Sequence, residues 1–279
     1  MIFTEPLEAV VGRRYSVRTY VKKPLGPQTK DEIAAYIESL SSPFPAKPSF
    51  RLVEAEPAAN GARLGTYGMI RGASVFIASG VKEGAFATEA LGYEFEKLIL
   101  FLTTLGLGTC WLGGTFNRAG FRKALGEPED GLFPAISPVG YFEKKSFRET
   151  LVRGFVHADS RKPWEELFFD GGFAAPLSKE NAGAYAFPLE MVRLGPSASN
   201  KQPWRIVREA GRYHFYAYKL PGYSRVFPFD MQSIDMGIAA CHFHLAAMEK
   251  GLPGSFSLDA APALNLPENL VYRFSWLPD

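Results

Sequence analysis

Apolar positions recur with two periods along this chain, and the periods mark out its elements. "LEAVVGRRYSVRTY" (7–20) reads as a short helix, a basic turn and a strand. "QTKDEIAAYIESL" carries the helical period, with Thr29 as the expected N-cap and Glu32 three residues on. Pro43, Pro45 and Pro48 exclude helix from the next stretch. "FRLVEA" and "ASVFIASG" read as strands. From about Thr88 to Leu105 an apolar stripe nearly surrounds the helix it predicts, which places that helix in the core. The chain then passes through "FFDGGFAAPLSKENAGAYA", whose small residues and glycines suggest a linker. Beyond it come a helix ("PLEMVRL"), a hairpin ("RIVREAGRYHFYAY") turning near Gly211, and a second apolar helix ("IDMGIAACHFHLAAMEKGLPGSF") closed by Gly251.

The two sides of the linker resemble each other. "PSFRLVEA" (48–55) aligns with "QPWRIVREA" (202–210), and "FLTTLGLGTCW" (101–111) aligns with "AAMEKGLPGSF" (246–256). The period is too long for a solenoid and suggests two related units packed as a dimer joined in one chain. The expected division is a first half at 1–167, a linker at 168–187 and a second half at 188–279.

Composition narrows the class. Apolar residues make up 47% of the 279 residues, so the chain folds around a large core. A formal charge of +2 does not supply the basic stripe that nucleic acid would need. Cys110 and Cys241 form no disulfide framework, and the N-terminal residues lack a signal-peptide order, so a cytoplasmic setting is expected. Leu98 to Phe116 carries no charge, but Gly106, Gly108, Gly113 and Gly114 break it, and it reads as a buried helix and loop, not a membrane span.

Four stretches carry candidate chemistry. "RRYSVRTY" concentrates Arg13, Arg14, Ser16 and Arg18, whose planar forks and hydroxyl match phosphate oxygens, although a solvated basic turn would look the same. Arg161 and Lys162 precede Pro163, which fits the first turn of a helix. "GLGTCWLGG" (106–114) lets backbone N–H groups approach a ligand, yet it follows a helix and lacks the dinucleotide-binding glycine spacing. "GPSASNKQPW" (195–204) crowds Ser197, Ser199, Asn200 and Gln202 between prolines. His242 and His244, two apart on one helix, face different ways and cannot share a metal there. No pattern identifies a catalytic acid, base or nucleophile.

Together these stretches resemble the FMN-dependent nitroreductase family. "RRYSVRTY" is similar to its R-x-S-x-R element, "GPSASNKQPWRIV" to its P-S-x-x-N-x-Q-P-W element, "GLGTCWLGG" to its G-L-G-x-x-W element, and "RKPWEEL" to its closing R-K-P element. In the family the P-S-x-x-N element follows the basic element within a few dozen residues. Here it lies in the second half, and its expected place, "SSPFPAKPSFRLV" (41–53), has lost the asparagine and the P-W. Family members are homodimers that hold FMN between subunits. The resemblance therefore implies an α+β nitroreductase-like fold of two degenerate half-repeats packed as an intramolecular pseudo-dimer. It implies a monomer or weak homodimer that binds FMN, takes electrons from NADH or NADPH and acts on a small molecule, without nucleic acid or membrane partners. Carried over, Arg14, Tyr15, Ser16 and Arg18, helped by Arg161 and Lys162, would bind the phosphate. Leu112, Gly113 and Gly114 would approach the flavin's reactive edge, and Pro196, Ser197, Ala198, Ser199 and Asn200 would line its ring and ribityl chain. A flavin-binding module without turnover, or a dehalogenase or dehydrogenase variant with a lid at 55–72, are the alternatives.

Overall fold

The structure is a computed structural model that describes residues 3–54, 65–125, 131–143, 160–222 and 229–279. In the first half, helices α1 (Leu7–Arg13) and α2 (Pro27–Glu38) precede strands β1 (Ser49–Glu54) and β2 (Val75–Gly80). Helix α3 (Ala87–Thr104), the short β3 (Gly108–Thr109), α4 (Arg118–Leu125) and β4 (Ile136–Gly140) follow. Next come β5 (Phe168–Asp170), α5 (Lys179–Ala182) and α6 (Ala186–Leu194). The second half then runs β6 (Trp204–Glu209), β7 (Arg212–Tyr218), α7 (Met231–Glu249), β8 (Gly254–Ser257) and β9 (Leu270–Pro278).

The two halves repeat one topology. The first sheet has the order β1-β2-β4-β3, and the second has β5-β6-β7-β9-β8. With β5 set aside, each sheet orders its strands first-second-fourth-third, and each long helix enters between its second and third strands. All pairings are antiparallel except β5 with β6. β5 explains a difference from the expected linker: the 168–187 segment begins with a strand that extends the second sheet, with Phe168 opposite Ile206.

Local chemistry accounts for most boundaries. β2 is buried at every position. Val75 and Ile77 pack toward α3, while Phe76 and Ala78 pack toward Phe121 of α4. A strand covered on both faces reads as a continuous apolar run. The β6–β7 hairpin turns through Ala210 and Gly211, both at positive φ (49° and 77°), as a tight two-residue turn requires. Gly251, at φ 66°, closes α7. The N-terminus of α2 differs from the expectation: Gly26 caps it, Pro27 and Gln28 are already helical, and Thr29 lies inside. Pro27 fits the first helical position because its missing N–H has no intrahelical partner to lose. The strand expected after the basic turn reduces to isolated bridges, Ser16 with Thr109 and Thr19 with Arg71. Residues 55–64 of the expected lid lie outside the described residues.

α3 and α7 form the centre, packed against each other. They cross where glycines allow it. A Cβ on Gly92 would lie 2.2 Å from the Ile234 carbonyl oxygen, and one on Gly237 would lie 2.1 Å from that of Glu89. Gly92 to Gly237 and Glu89 to Ile234 are both steps of 145 residues, the step that separates "FLTTLGLGTCW" from "AAMEKGLPGSF". Each helix therefore presents the same patch to the other, the reciprocal pattern of a two-fold interface. No helix among the described residues is long and apolar enough to cross a membrane.

Candidate functional site

The basic element leaves the C-terminal end of α1 and runs beside β3. The Val17 N–H donates to the Thr109 carbonyl oxygen at 2.8 Å. This contact brings the basic element to the glycine loop, and a cavity of about 310 Å³ opens between them. Arg13, Arg14, Tyr15, Val17, Thr103, Leu107, Gly108, Thr109 and Phe142 contribute to its wall. Gly108 is required there, because a Cβ would press within 2.7 Å of Phe142 and 2.9 Å of Val17. Arg18 turns back, its Nη1 donating to the Ser16 carbonyl oxygen at 3.3 Å.

Leu112 is pinned to Ile136 by two backbone hydrogen bonds of 3.0 Å. Arg118 donates to the Gly113 carbonyl oxygen at 2.7 Å and to that of Phe133 at 2.8 Å, with Phe116 and Phe229 beside its guanidinium. Gly113 faces the start of α7, since a Cβ there would meet Met231 Cε at 2.7 Å. Gly114 is exposed.

The polar loop is clasped by the segment that carries Arg161 and Lys162. The Lys162 N–H donates to Gln202 Oε1 at 2.8 Å, and Asn200 Nδ2 donates to the Ser160 carbonyl oxygen at 3.0 Å. Arg161 Nη2 donates to the Leu194 carbonyl oxygen at 3.1 Å. Inside the loop, the Gln202 N–H donates to Ser197 Oγ at 2.8 Å. Pro196 and Ser197 are half-buried, and Ser199 is exposed. Ser199, Asn200 and Gln202 hold φ of 49°, 54° and 48°. This conformation costs Ser199 and Gln202 about 1 kcal/mol or more each, whereas asparagine tolerates it, so the clasp sustains strain at two positions.

Two buried acids tie these groups together. Glu96, in the middle of α3, accepts from Trp111 Nε1 at 2.7 Å and lies 3.0 Å from His242 Nε2 of α7. Arg14 Nε stands 3.9 Å away, and neither the Glu96 nor the His242 side chain is exposed. The second acid, Asp235 of α7, accepts the Ala198 N–H at 2.9 Å. Burial pushes the Asp235 carboxyl up to about 8 against the pull of that N–H and of Lys219.

The motifs revealed neither acid. A signal was nonetheless present, because a carboxylate on a helix that is apolar almost all round must be buried and therefore partnered. His244 bonds Tyr93 Oη at 2.7 Å while His242 bonds Glu96, so the two histidines do diverge. Among the described residues no cluster of acids, histidines and cysteines has metal-site geometry, and both cysteines are buried thiols.

The Asp235 shift fixes a pH dependence. Between about pH 4 and pH 8 the folded chain holds a proton that the unfolded chain has released, so stability falls as pH rises through that window. Asp235→Asn removes that loss. Its stability relative to wild type is expected to rise by about 1.4 kcal/mol per pH unit inside the window, read by urea unfolding at a series of pH values. Parallel pH profiles would show that Asp235 is ionised in the folded chain.

Over residues 7–247 the chain matches the family model described as "Putative TM nitroreductase". Its structure is similar to that of a "putative nitroreductase" from Thermotoga maritima, with a TM-score of 0.62 and 19% identity, covering 98% of this chain and 94% of the other. It is also similar to two shorter chains. One is a nitroreductase family protein from Clostridium difficile 630, at 17% identity and TM-score 0.44, covering 58% of this chain and 96% of that one. The other is a nitroreductase with bound FMN from Bacteroides fragilis, at 18% identity and TM-score 0.38, covering 52% and 92%. No curated protein matches the chain.

Proposed function

This chain belongs to the nitroreductase family whose model it matches, and we propose that it is an FMN-dependent NAD(P)H oxidoreductase acting on a small aromatic or nitro-substituted acceptor. The observation that carries the reading is the strained loop at 196–202, held by the Ser160–Lys162 segment and by Asp235. Strain kept in place by several independent contacts is characteristic of ligand clamps.

The donor set suits the cofactor. Arg14 offers a cation for a phosphate in the cavity, with the Ser16 hydroxyl two residues along the same element, while Tyr15, Val17, Leu107 and Phe142 offer apolar walls for a flat ring. When bound, FMN would supply the two-electron chemistry, with NAD(P)H as hydride source. The chain's own part is to bind and orient. Gly113 and Gly114 present backbone, Leu112, whose own N–H and carbonyl are both bonded to Ile136, anchors them, and Arg118 holds the Gly113 carbonyl in place. Pro196, Ser197, Ala198, Ser199 and Asn200 form the opposite wall, with Arg161 and Lys162 bracing it and adding positive charge. No side chain is assigned as acid or base.

We read the two half-repeats, 1–167 and 188–279, as an internal duplication that supplies both walls from one cytoplasmic chain, so a single chain completes the site. The purified protein is expected to show a flavin absorbance spectrum at one FMN per chain, bleached by NAD(P)H under anaerobic conditions. Ser197→Ala with Asn200→Ala, which removes the loop's internal bond and its hold on Ser160, is expected to weaken FMN binding roughly tenfold. A colourless protein that takes up no FMN refutes the assignment. FMN that binds but resists bleaching leaves a binding module.

A further inference from the structure

We propose that Glu96 is a positioning residue that aligns Arg14 toward the phosphate of the bound cofactor; this rests on the flavin reading above. A carboxylate that is fully buried is retained only when its partners repay its lost hydration. Glu96 has partners on three separate segments, and Arg14 among them lines the cavity. Arg14 comes from the basic element, Trp111 from the glycine loop, and His242 from the second half.

The His242 ring in turn packs on the polar loop. A Cβ on Gly195, the residue before Pro196, would stand 3.7 Å from the imidazole. One acid thus sets the register of the basic element, the glycine loop and the second-half wall.

The arrangement assigns Glu96 an electrostatic task as well as a structural one. Arg14 lines the cavity, and its side chain is only 9% exposed. The carboxylate stands on the Nε side of the guanidinium at 3.9 Å, a charge–charge contact longer than a hydrogen bond. Trp111 needs only an acceptor, which a neutral amide also provides. Arg14 needs a charge.

Glu96→Gln keeps the shape and one acceptor while removing the charge, so its effect should fall on ligands that carry a phosphate. The test compares FMN with riboflavin, which has the same ring and ribityl chain without the phosphate, by flavin-fluorescence titration of the apoprotein. E96Q is expected to weaken FMN roughly tenfold and to leave riboflavin unchanged. Because Glu96 acts through Arg14, the double variant R14A/E96Q should bind FMN no more weakly than R14A alone.

Equal losses for both flavins, or additive losses in the double variant, overturn the proposal. E96D, which keeps the charge but draws it back by one methylene, gives the same readout if E96Q does not fold. It should lose FMN affinity selectively, and an equal loss for riboflavin overturns the assignment. Wild-type protein that binds neither flavin overturns the flavin reading and this proposal with it. Wild-type binding combined with unselective variants overturns only the role of Glu96.

Discussion

Gly237→Val is expected to cost the protein more than about 3 kcal/mol, the upper end of the range for overpacking a core. The new side chain would have to occupy space held by backbone. A Cβ at this position already lies 2.1 Å from the Glu89 carbonyl oxygen and 2.8 Å from the Tyr93 nitrogen. Backbone of a packed helix cannot rotate away as a side-chain tip can, so α3 and α7 would have to part along their whole contact. That contact carries Ala90, Tyr93, Met236 and Ala240 in one core cluster and Leu91, Ile234 and Ile238 in another.

The symmetry of the crossing adds a sharper expectation. Gly92→Val meets the Ile234 carbonyl oxygen at nearly the same distance, 2.2 Å, and should cost about as much. The double variant should cost less than the two single variants together, because helices that have parted for one side chain have made room for the other. Gly84→Val, with nothing within 4 Å of its Cβ, is the control and should be near neutral. Urea unfolding of the four variants checks this. Fully additive losses would show that the glycines act separately and would remove the reciprocal interface.

Phe44→Ala is expected to cost about 3–5 kcal/mol and to lower the melting temperature by roughly 10 °C. Phe44 occupies the first-half position that answers to Ala198, counted back from Phe50-Arg51-Leu52-Val53 opposite Trp204-Arg205-Ile206-Val207. Where the second half places a single methyl, the first half places a ring, and that ring is buried. Its centroid lies 5.3 Å from Phe274, 5.9 Å from Phe86 and 6.2 Å from Phe256. Phe256 itself answers to Trp111 by the 145-residue step. The place related by the pseudo-two-fold to the candidate site is therefore packed with aromatic side chains. Packed rings of this size supply stability that a ligand pocket cannot. Differential scanning calorimetry measures the loss. A change below about 1 kcal/mol would mean the cluster is loosely packed and the second position open.

The sequence by itself determined much of this protein. Periodicity placed both central helices, both strands of the first hairpin-like pair and the β6–β7 turn, because each is specified by contacts a few residues apart. The likeness of the halves was legible and returns as a repeated strand order, and small hydroxyls and prolines beside a tryptophan marked out the loop before β6. Local signals failed where two options were chemically close. Thr29 was a sound cap, but Pro27 starts a helix equally well, and the backbone took the earlier start. The run at 168–187 was polar enough for a linker, yet β5 found an open edge on β6.

Only the tertiary structure decided the rest. Nothing in the spacing of Arg14, Glu96, Trp111 and His242 relates them, because buried charges choose partners by proximity in space and not in sequence. Asp235, a buried acid that holds its proton, reaches the Ala198 N–H by the same proximity in space. The glycines at 92 and 237 carry no signal of their own in the helical pattern. Folded, they are the points where the helix backbones touch, and that closeness exists only once the two halves have met.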